Sequence, residues 1–345
     1  MNRKNERRKN LATIILLFRQ RGPLTQSMVK NLIAFQPSTV SYLINDLLKE
    51  RLLISTGKIS HDRGPGKPGN LLTLNNTFAQ FLGIYVEGPA VQLFRIGLDG
   101  DVLAEMEEKI DSPHDVEETI VRMIGKQQTN EVPIKGIGIA INGLVLEGDK
   151  IKFGLREGEQ ERMEMVGLTE RLRGHFPELP LAIENDAHCT AIHYQVTQQK
   201  EHGNVLIYML NKEPFGIGCS ILLHGQLYKG KNGAAGQFFY KGTRFAEIAN
   251  RRQPDYLHTM IQELMPHIAT SSYLLDPEKV VFTGSYLAEI TDEELTILHR
   301  WIGEYDFPYN IEFALGEETL HPGKGAAFLS IHHFVDDFIA KVGAR

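Results

Sequence analysis

Charge divides this chain before any motif does. Between Met1 and Leu74 stand thirteen lysines and arginines against four acids, a net of +9; the whole chain carries −6, so the residues after Leu74 carry −15. At 345 residues the chain is also too long for one core of ordinary size. The basic piece is helical in pattern and the acidic piece is punctuated by glycine. A small cationic module on a large anionic body points to nucleic acid at one end and to a different ligand at the other.

In the basic piece, Leu11, Ile14, Ile15 and Phe18 fall at helical spacing and predict a helix over Asn5 to Gln20, ended by Gly22 and Pro23. Thr25 is placed to cap a second helix reaching Ala34. Pro37 cannot continue a helix and Ser38 can cap the next one, so a third helix is expected from Thr39 to Glu50, burying Val40, Leu43, Ile44, Leu47 and Leu48. Two short helices across a tight turn form the helix-turn-helix pattern. It sets Gln36, Ser38, Thr39, Ser41, Tyr42 and Asn45 against base edges and phosphates. Strands at Leu52–Ser55 and Asn70–Leu74 flank the basic Gly/Pro loop around Arg63 and Lys67, which reads as a wing able to enter a minor groove. The bland alternative is a solvated three-helix bundle with a flexible linker. The expected DNA-binding domain is 1–75.

Two cysteines, Cys189 and Cys219, are too few for a disulfide framework and too far apart for the usual zinc spacings, which fits a reducing cytoplasm. The apolar run Ala12–Phe18 follows basic residues, but it is short and Arg19 and Arg21 follow at once. It reads as a buried helix face and not as a signal peptide. No stretch approaches the roughly 18 apolar residues of a membrane span.

From Phe81 onward strands and helices alternate. Strands are expected at 81–86, 91–96, 102–106, Ile134–Ile141, 181–183, 205–210, 217–223 and 280–283, with helices at 116–126, from Ala187, and at Gly325–Val342. This is an α/β layering with a cleft at the strand carboxyl ends. Asn142-Gly143 and Asn185-Asp186 close two of those strands.

Five blocks, ordered along nearly the whole chain, carry a resemblance. They are Arg63–Gly69 before Leu71–Asn75; Gly136-Ile137-Gly138-Ile139 running into Asn142-Gly143-Leu144-Val145; Glu184-Asn185-Asp186-Ala187; Gly216-Ile217-Gly218; and Leu227–Gly236. The chain resembles the ROK family (repressors, open reading frames, kinases), in the branch with an N-terminal winged helix. The resemblance implies an α/β chain: a winged helix-turn-helix, then a two-lobed actin/hexokinase-like, ribonuclease H-like domain over 76–345. Lobe one would be about 76–195 plus the C-terminal helix, and lobe two about 196–324. It also implies a sugar cleft between the lobes and a homodimer or homotetramer.

The departures bear on chemistry. Family kinases open with Asp-x-Gly-Gly-Thr; here Tyr85-Val86-Glu87-Gly88-Pro89 stands there, and a phenol cannot replace a carboxylate that orients Mg²⁺. The Gly-Thr-Gly turn reads Pro214-Phe215-Gly216, with a donor removed by proline. Asp186 matches the kinase base, yet it can equally accept sugar hydroxyls; capping of the following helix is its structural alternative. Gln237 stands where the family has glutamate, and no histidine follows in the family's place. The family's three-cysteine zinc loop is missing from Gly242–Met260, so neither metal nor other cofactor is expected. His188 and His193 sit five apart, poor for one metal, and read as helix-surface or interface residues.

These observations predict a cytoplasmic, sugar-responsive transcriptional repressor of carbohydrate genes and not an enzyme. Its partners would be an operator in double-stranded DNA and a sugar or sugar derivative. The expected ligand contacts are Asn142, Gly143, Asn185, Asp186 and Gln237. The alternatives are an ATP-dependent sugar kinase, or a DNA-binding protein whose body is ligand-free and serves oligomerisation or docking. Xylose-type and amino-sugar repressors both lie in the family, and the sequence does not choose between them.

Overall fold

A computed structural model describes residues 3–59, 69–88, 90–128, 131–146, 150–153, 164–198, 203–212, 215–237, 256–316 and 319–343. Helix α1 (Arg3–Arg21) buries Leu11, Ile14, Ile15 and Phe18, one stripe at helical spacing. The short strand β1 (Leu24–Thr25) leads into α2 (Gln26–Leu32), capped by Thr25, whose hydroxyl accepts from the Met28 amide at 3.2 Å. Helix α3 (Pro37–Lys49) buries Val40, Leu43, Ile44 and Leu47. It starts two residues earlier than the sequence suggests. Ser38 is not its cap; Gln36 precedes the helix and Pro37 occupies its first position, where the missing N–H costs nothing and the fixed φ suits a helix. Strands β2 (Leu53–Ile59) and β3 (Gly69–Leu74) pair antiparallel, and the sheet order is β1-β3-β2. Arg63 and Lys67 lie outside the described residues.

The body holds two five-stranded mixed sheets. Strands β4 (Gln80–Glu87), β5 (Ala90–Gly97) and β6 (Val102–Lys109) form an antiparallel meander. After α4 (Val116–Gln127), β7 (Ile134–Ile141) pairs parallel with β4. A small antiparallel sheet follows, from β8 (Gly143–Leu146), β9 (Lys150–Phe153) and β10 (Glu164–Val166). Helix α5 (Leu168–His175) leads to β11 (Leu181–Asn185), parallel to β7, which gives the order β11-β7-β4-β5-β6. Both faces of this sheet are covered, so β4 and β7 read as near-continuous apolar runs.

Helix α6 (Asp186–Thr197) carries the chain across to the second sheet. Strands β12 (Val205–Lys212), β13 (Phe215–Leu223) and β14 (Gln226–Leu227) are antiparallel neighbours. Helix α7 (Tyr256–Leu275) precedes β15 (Lys279–Thr283), which pairs parallel with β12. Helices α8 (Ser285–Ala288) and α9 (Asp292–Gly303) precede β16 (Asn310–Phe313), so the second order is β14-β13-β12-β15-β16. Alternation along β12 sends Leu206, Tyr208 and Leu210 to the face packed by α7 and α9, and Val205 and Ile207 to the face packed by α6.

Helix α10 (Pro322–Val342) returns the chain to the first sheet and crosses α6 at Gly325, whose Cα lies against the Cys189 carbonyl. Its far end joins the head: Ile339 and Val342 share one core with Leu11, Ile14, Ile15 and Phe18 of α1. Half-buried Arg19 donates to the Leu98 carbonyl at 3.4 Å. Among the described residues no helix is long and apolar enough to cross a membrane.

Candidate functional site

Strand register builds the cleft. Val86 of β4 and Asn185 of β11 both pair with Ile141 of β7. The next residues along, Glu87, Asn142 and Asp186, therefore leave three adjacent parallel strands at one level, the carboxyl-end crevice where α/β sheets take ligands. The Asn142 amide donates to the Val86 carbonyl at 3.2 Å.

Asn185 is the hub. Its Nδ2 donates to the Gly143 carbonyl at 2.6 Å and to Asp186 Oδ1 at 3.0 Å, while its Oδ1 accepts from the His188 amide at 3.1 Å. Asn185, not Asp186, is thus the cap of α6. Asp186 occupies the first helical position, with Oδ1 accepting from the Ala187 amide at 2.8 Å. The structure joins Gly143, Asn185 and Asp186 by hydrogen bonds and sets Asn142 beside them. Gln237 is held differently. Its amide donates to the Ala234 carbonyl at 3.2 Å, and no side-chain hydrogen bond joins it to the other four among the described residues.

Two groups escape the sequence reading. The first is Glu87 with Tyr85 and Asn211. Tyr85, which the resemblance sets in the place of the kinases' aspartate, is buried; its hydroxyl donates to the Glu87 carboxylate and accepts from Asn211 Nδ2 at 3.3 Å. Asn211 belongs to the second sheet, so this link ties the two sheets together. Burial pushes Glu87 up to about 7 against the Tyr85 hydrogen bond, with help from Glu107. Burial also lifts Asp186 to about 7, with the Ala187 amide opposing and the Glu87 charge adding. A carboxylate two residues from the position that the resemblance gives to the kinases' aspartate is the signal that could have found Glu87.

The second group anchors the Leu227–Gln237 segment. Glu184 Oε1 accepts from His188 Nδ1 and from the Asn185 amide, both at 2.9 Å, and Lys229 donates to its other oxygen. Burial opposes the Glu184 charge, yet the His188 hydrogen bond and the Lys229 ammonium outweigh it and hold the acid at about 2. His188 is fully buried, so of the helix-surface and interface placements that its spacing suggests the surface one does not apply. Four-residue spacing from Glu184 was the available clue.

The raised acids carry a pH dependence. A carboxyl whose folded pKa exceeds its unfolded value stabilises fully below the unfolded value and loses that contribution as pH rises through the folded one. Glu87 and Asp186 therefore lose stabilisation between about 4 and about 7. Glu87→Gln is expected to raise the melting temperature at pH 8 relative to the parent, with the gap closing towards pH 5. A pH series of melting curves checks this; an equal offset at every pH contradicts it.

On the head, Gln36, Ser38, Tyr42 and Asn45 are exposed and Thr39 and Ser41 half-buried along one side of α3. Arg7 from α1 lies over the Tyr42 ring at 5.4 Å and donates to Asp46 at 2.7 Å, which holds α3 in place. Among the described residues no group of three His, Cys, Asp or Glu side chains is placed to hold a metal.

Comparison with known proteins agrees with this architecture. Residues 82–239 match the ROK family model. The chain is 24 % identical over 223 residues to the xylose repressor of Bacillus spizizenii, covering 63 % of this chain and 56 % of that protein. It is 23 % identical over 219 residues to the xylose repressor of Staphylococcus xylosus, 62 % of this chain and 55 % of that one. The chain thus spans little more than half the length of these curated relatives. Among solved structures, a ROK family transcriptional regulator described as a homologue of the E. coli MLC protein superposes with a TM-score of 0.67 at 17 % identity, covering 98 % of each chain. A ROK family glucokinase from Streptomyces griseus, with glucose and AMPPNP, gives 0.56 at 16 % identity over 73 % of this chain and 99 % of its own. Residues 82–239 are thus similar to the ROK family's domain, and the fold is that of ROK family structures.

Proposed function

We propose that the chain is a sugar-responsive DNA-binding repressor whose kinase-like cleft binds ligand without phosphoryl transfer. The observation that carries the reading is Tyr85. It is buried, bonded to Glu87 and Asn211, and stands where a phosphoryl-transfer enzyme needs a metal-orienting carboxylate. Relatives described as xylose repressors support the regulator. The division is 1–75 for the DNA head and 76–345 for the ligand body, in a cytoplasmic homodimer or homotetramer.

In this reading Asn142, Gly143, Asn185, Asp186 and Gln237 grip sugar hydroxyls, and Glu87 joins them. Helix α3 presents Gln36, Ser38, Thr39, Ser41, Tyr42 and Asn45 to an operator, with Arg63 and Lys67 in the minor groove. A sugar shifts the lobes only by its differential affinity for their two arrangements. Helix α10 is the route outward: His321, preceding its first turn, sets its ring at 5.6 Å from that of Tyr85, and its last turns pack on α1.

The double substitution Arg63→Ala with Lys67→Ala tests the head. On DNA selected from a random pool by the full chain, the slope of log affinity against log salt is expected to flatten by about 2, one unit per lost phosphate contact. An unchanged slope and affinity contradict the wing assignment.

A further inference from the structure

A second cavity lies outside the cleft. Helix α6 covers the second sheet over β12 and β13, where Ala191 and Tyr194 meet Val205, Ile207 and Leu222. A helix about 10 Å across spans only about two strands at their 4.8 Å spacing. The sheet face over β15 and β16 is roofed by Ala314, Thr319 and Leu320, which follow β16, and by Lys324 in the first turn of α10. Beneath that roof is a cavity of about 340 Å³, lined by His193, Gln198, Val281, Glu312, Thr319 and Lys324 among others. It sits at the opposite end of α6 from Asp186, a helix of 12 residues and so about 18 Å long.

Its polar lining is rich in donors. No carboxylate pairs with Lys324 among the described residues; its ammonium rests 5.8 Å from the Phe94 ring centre. Glu312 is already neutralised by Lys279 at 2.8 Å. His193 Nδ1 accepts from the His321 amide at 2.8 Å, so the neutral ring must carry its proton on Nε2, as a donor. Burial first, and the Lys324 charge second, hold that ring neutral down to about 4. A lysine with no carboxylate partner among the described residues, one imidazole N–H and the Gln198 carboxamide make a donor set suited to an acid group on a hydroxylated carbon chain. The volume lies at the low end of small-molecule sites.

We propose that this cavity binds a small polyhydroxylated anion, a carboxylate or a phosphate monoester, with Lys324 and His193 on the acid group and Gln198 on a hydroxyl. Its walls come from α6 and α10 on one side and from β15 and β16 on the other. An occupant therefore bridges the elements that join the two sheets and resists their relative motion. The site is independent of the cleft and of the regulator reading.

Calorimetric titration of the full chain with gluconate, ribose 5-phosphate and inorganic phosphate tests this. One of the two organic anions is expected to bind, and which one does tells carboxylate from phosphate ester. Lys324→Met should weaken that binding at least about tenfold through loss of a charge-assisted contact, while Lys324→Arg retains most of it. Asp186→Asn, which alters the cleft, should leave it unchanged. Failure of both organic anions to bind overturns the proposal, as does binding that survives Lys324→Met. Binding lost in Asp186→Asn places the anion in the cleft and overturns it equally.

Discussion

Asp186→Asn is expected to remove sugar binding while making the folded chain more stable at pH 8. The two effects share one cause. Asp186 is 5 % exposed, and burial lifts it to about 7, so above that pH the fold holds an ionised carboxylate out of water. Asparagine keeps an oxygen for the Ala187 amide and for Asn185 and removes the charge. The penalty disappears, and stability that the parent loses as pH rises through about 7 is retained. A hydroxyl bonded to a charged acceptor contributes about 1.5–3 kcal/mol, so the sugar should weaken tenfold or more for each hydroxyl held. Melting curves at pH 8, with and without the sugar that shifts the parent, read both effects. A variant that binds sugar like the parent sinks the cleft assignment, and a variant less stable at pH 8 sinks the burial argument.

Gly138→Ala is expected to destabilise the chain by about 3 kcal/mol or more, the upper end for overpacking. Gly138 lies mid-strand in β7, with α10 directly above it. A Cβ there would fall inside the van der Waals radius of the Ala326 carbonyl oxygen, and the helix backbone cannot rotate away as a side chain could. Gly83 on β4 faces the Gly323 carbonyl in the same way, and Gly325 faces the Cys189 carbonyl of α6. Missing side chains thus let α10 lie directly on the first sheet and on α6 at the crossing between the sheets. Urea unfolding measures the loss; a cost below about 1 kcal/mol would mean that α10 can lift without resistance.

Much of this fold is visible in the residues themselves. Strand β7 runs over Ile134–Ile141 as its apolar run, broken only by exposed Lys135 near its start, suggests, because a strand covered on both faces leaves little polar register to misread. The apolar faces of α1 and α3 follow their spacing. The start of α3 does not, because proline both breaks a helix and begins one, and only the backbone around Gln36 decides. Strands β8, β9, β10 and β16 are three or four residues each, too short for alternation to register. In the cleft, Asn185 and Asp186 stand out at a strand end. Glu87 does not, because its neighbour Asp186 is brought near only by the pairing of β4 and β11 to β7. Asn211 reaches Tyr85 across 126 positions of chain, a link no local pattern records.

The direct test is the affinity of the full chain for a DNA fragment it has selected, titrated with pentoses, hexoses and amino sugars, each with and without Mg²⁺-ATP. One sugar is expected to change that affinity by about 5- to 150-fold, the usual span of coupling between two sites, with no ADP released. DNA affinity indifferent to every sugar, together with sugar-dependent ADP release that Asp186→Asn removes, would contradict the account and make the chain a kinase.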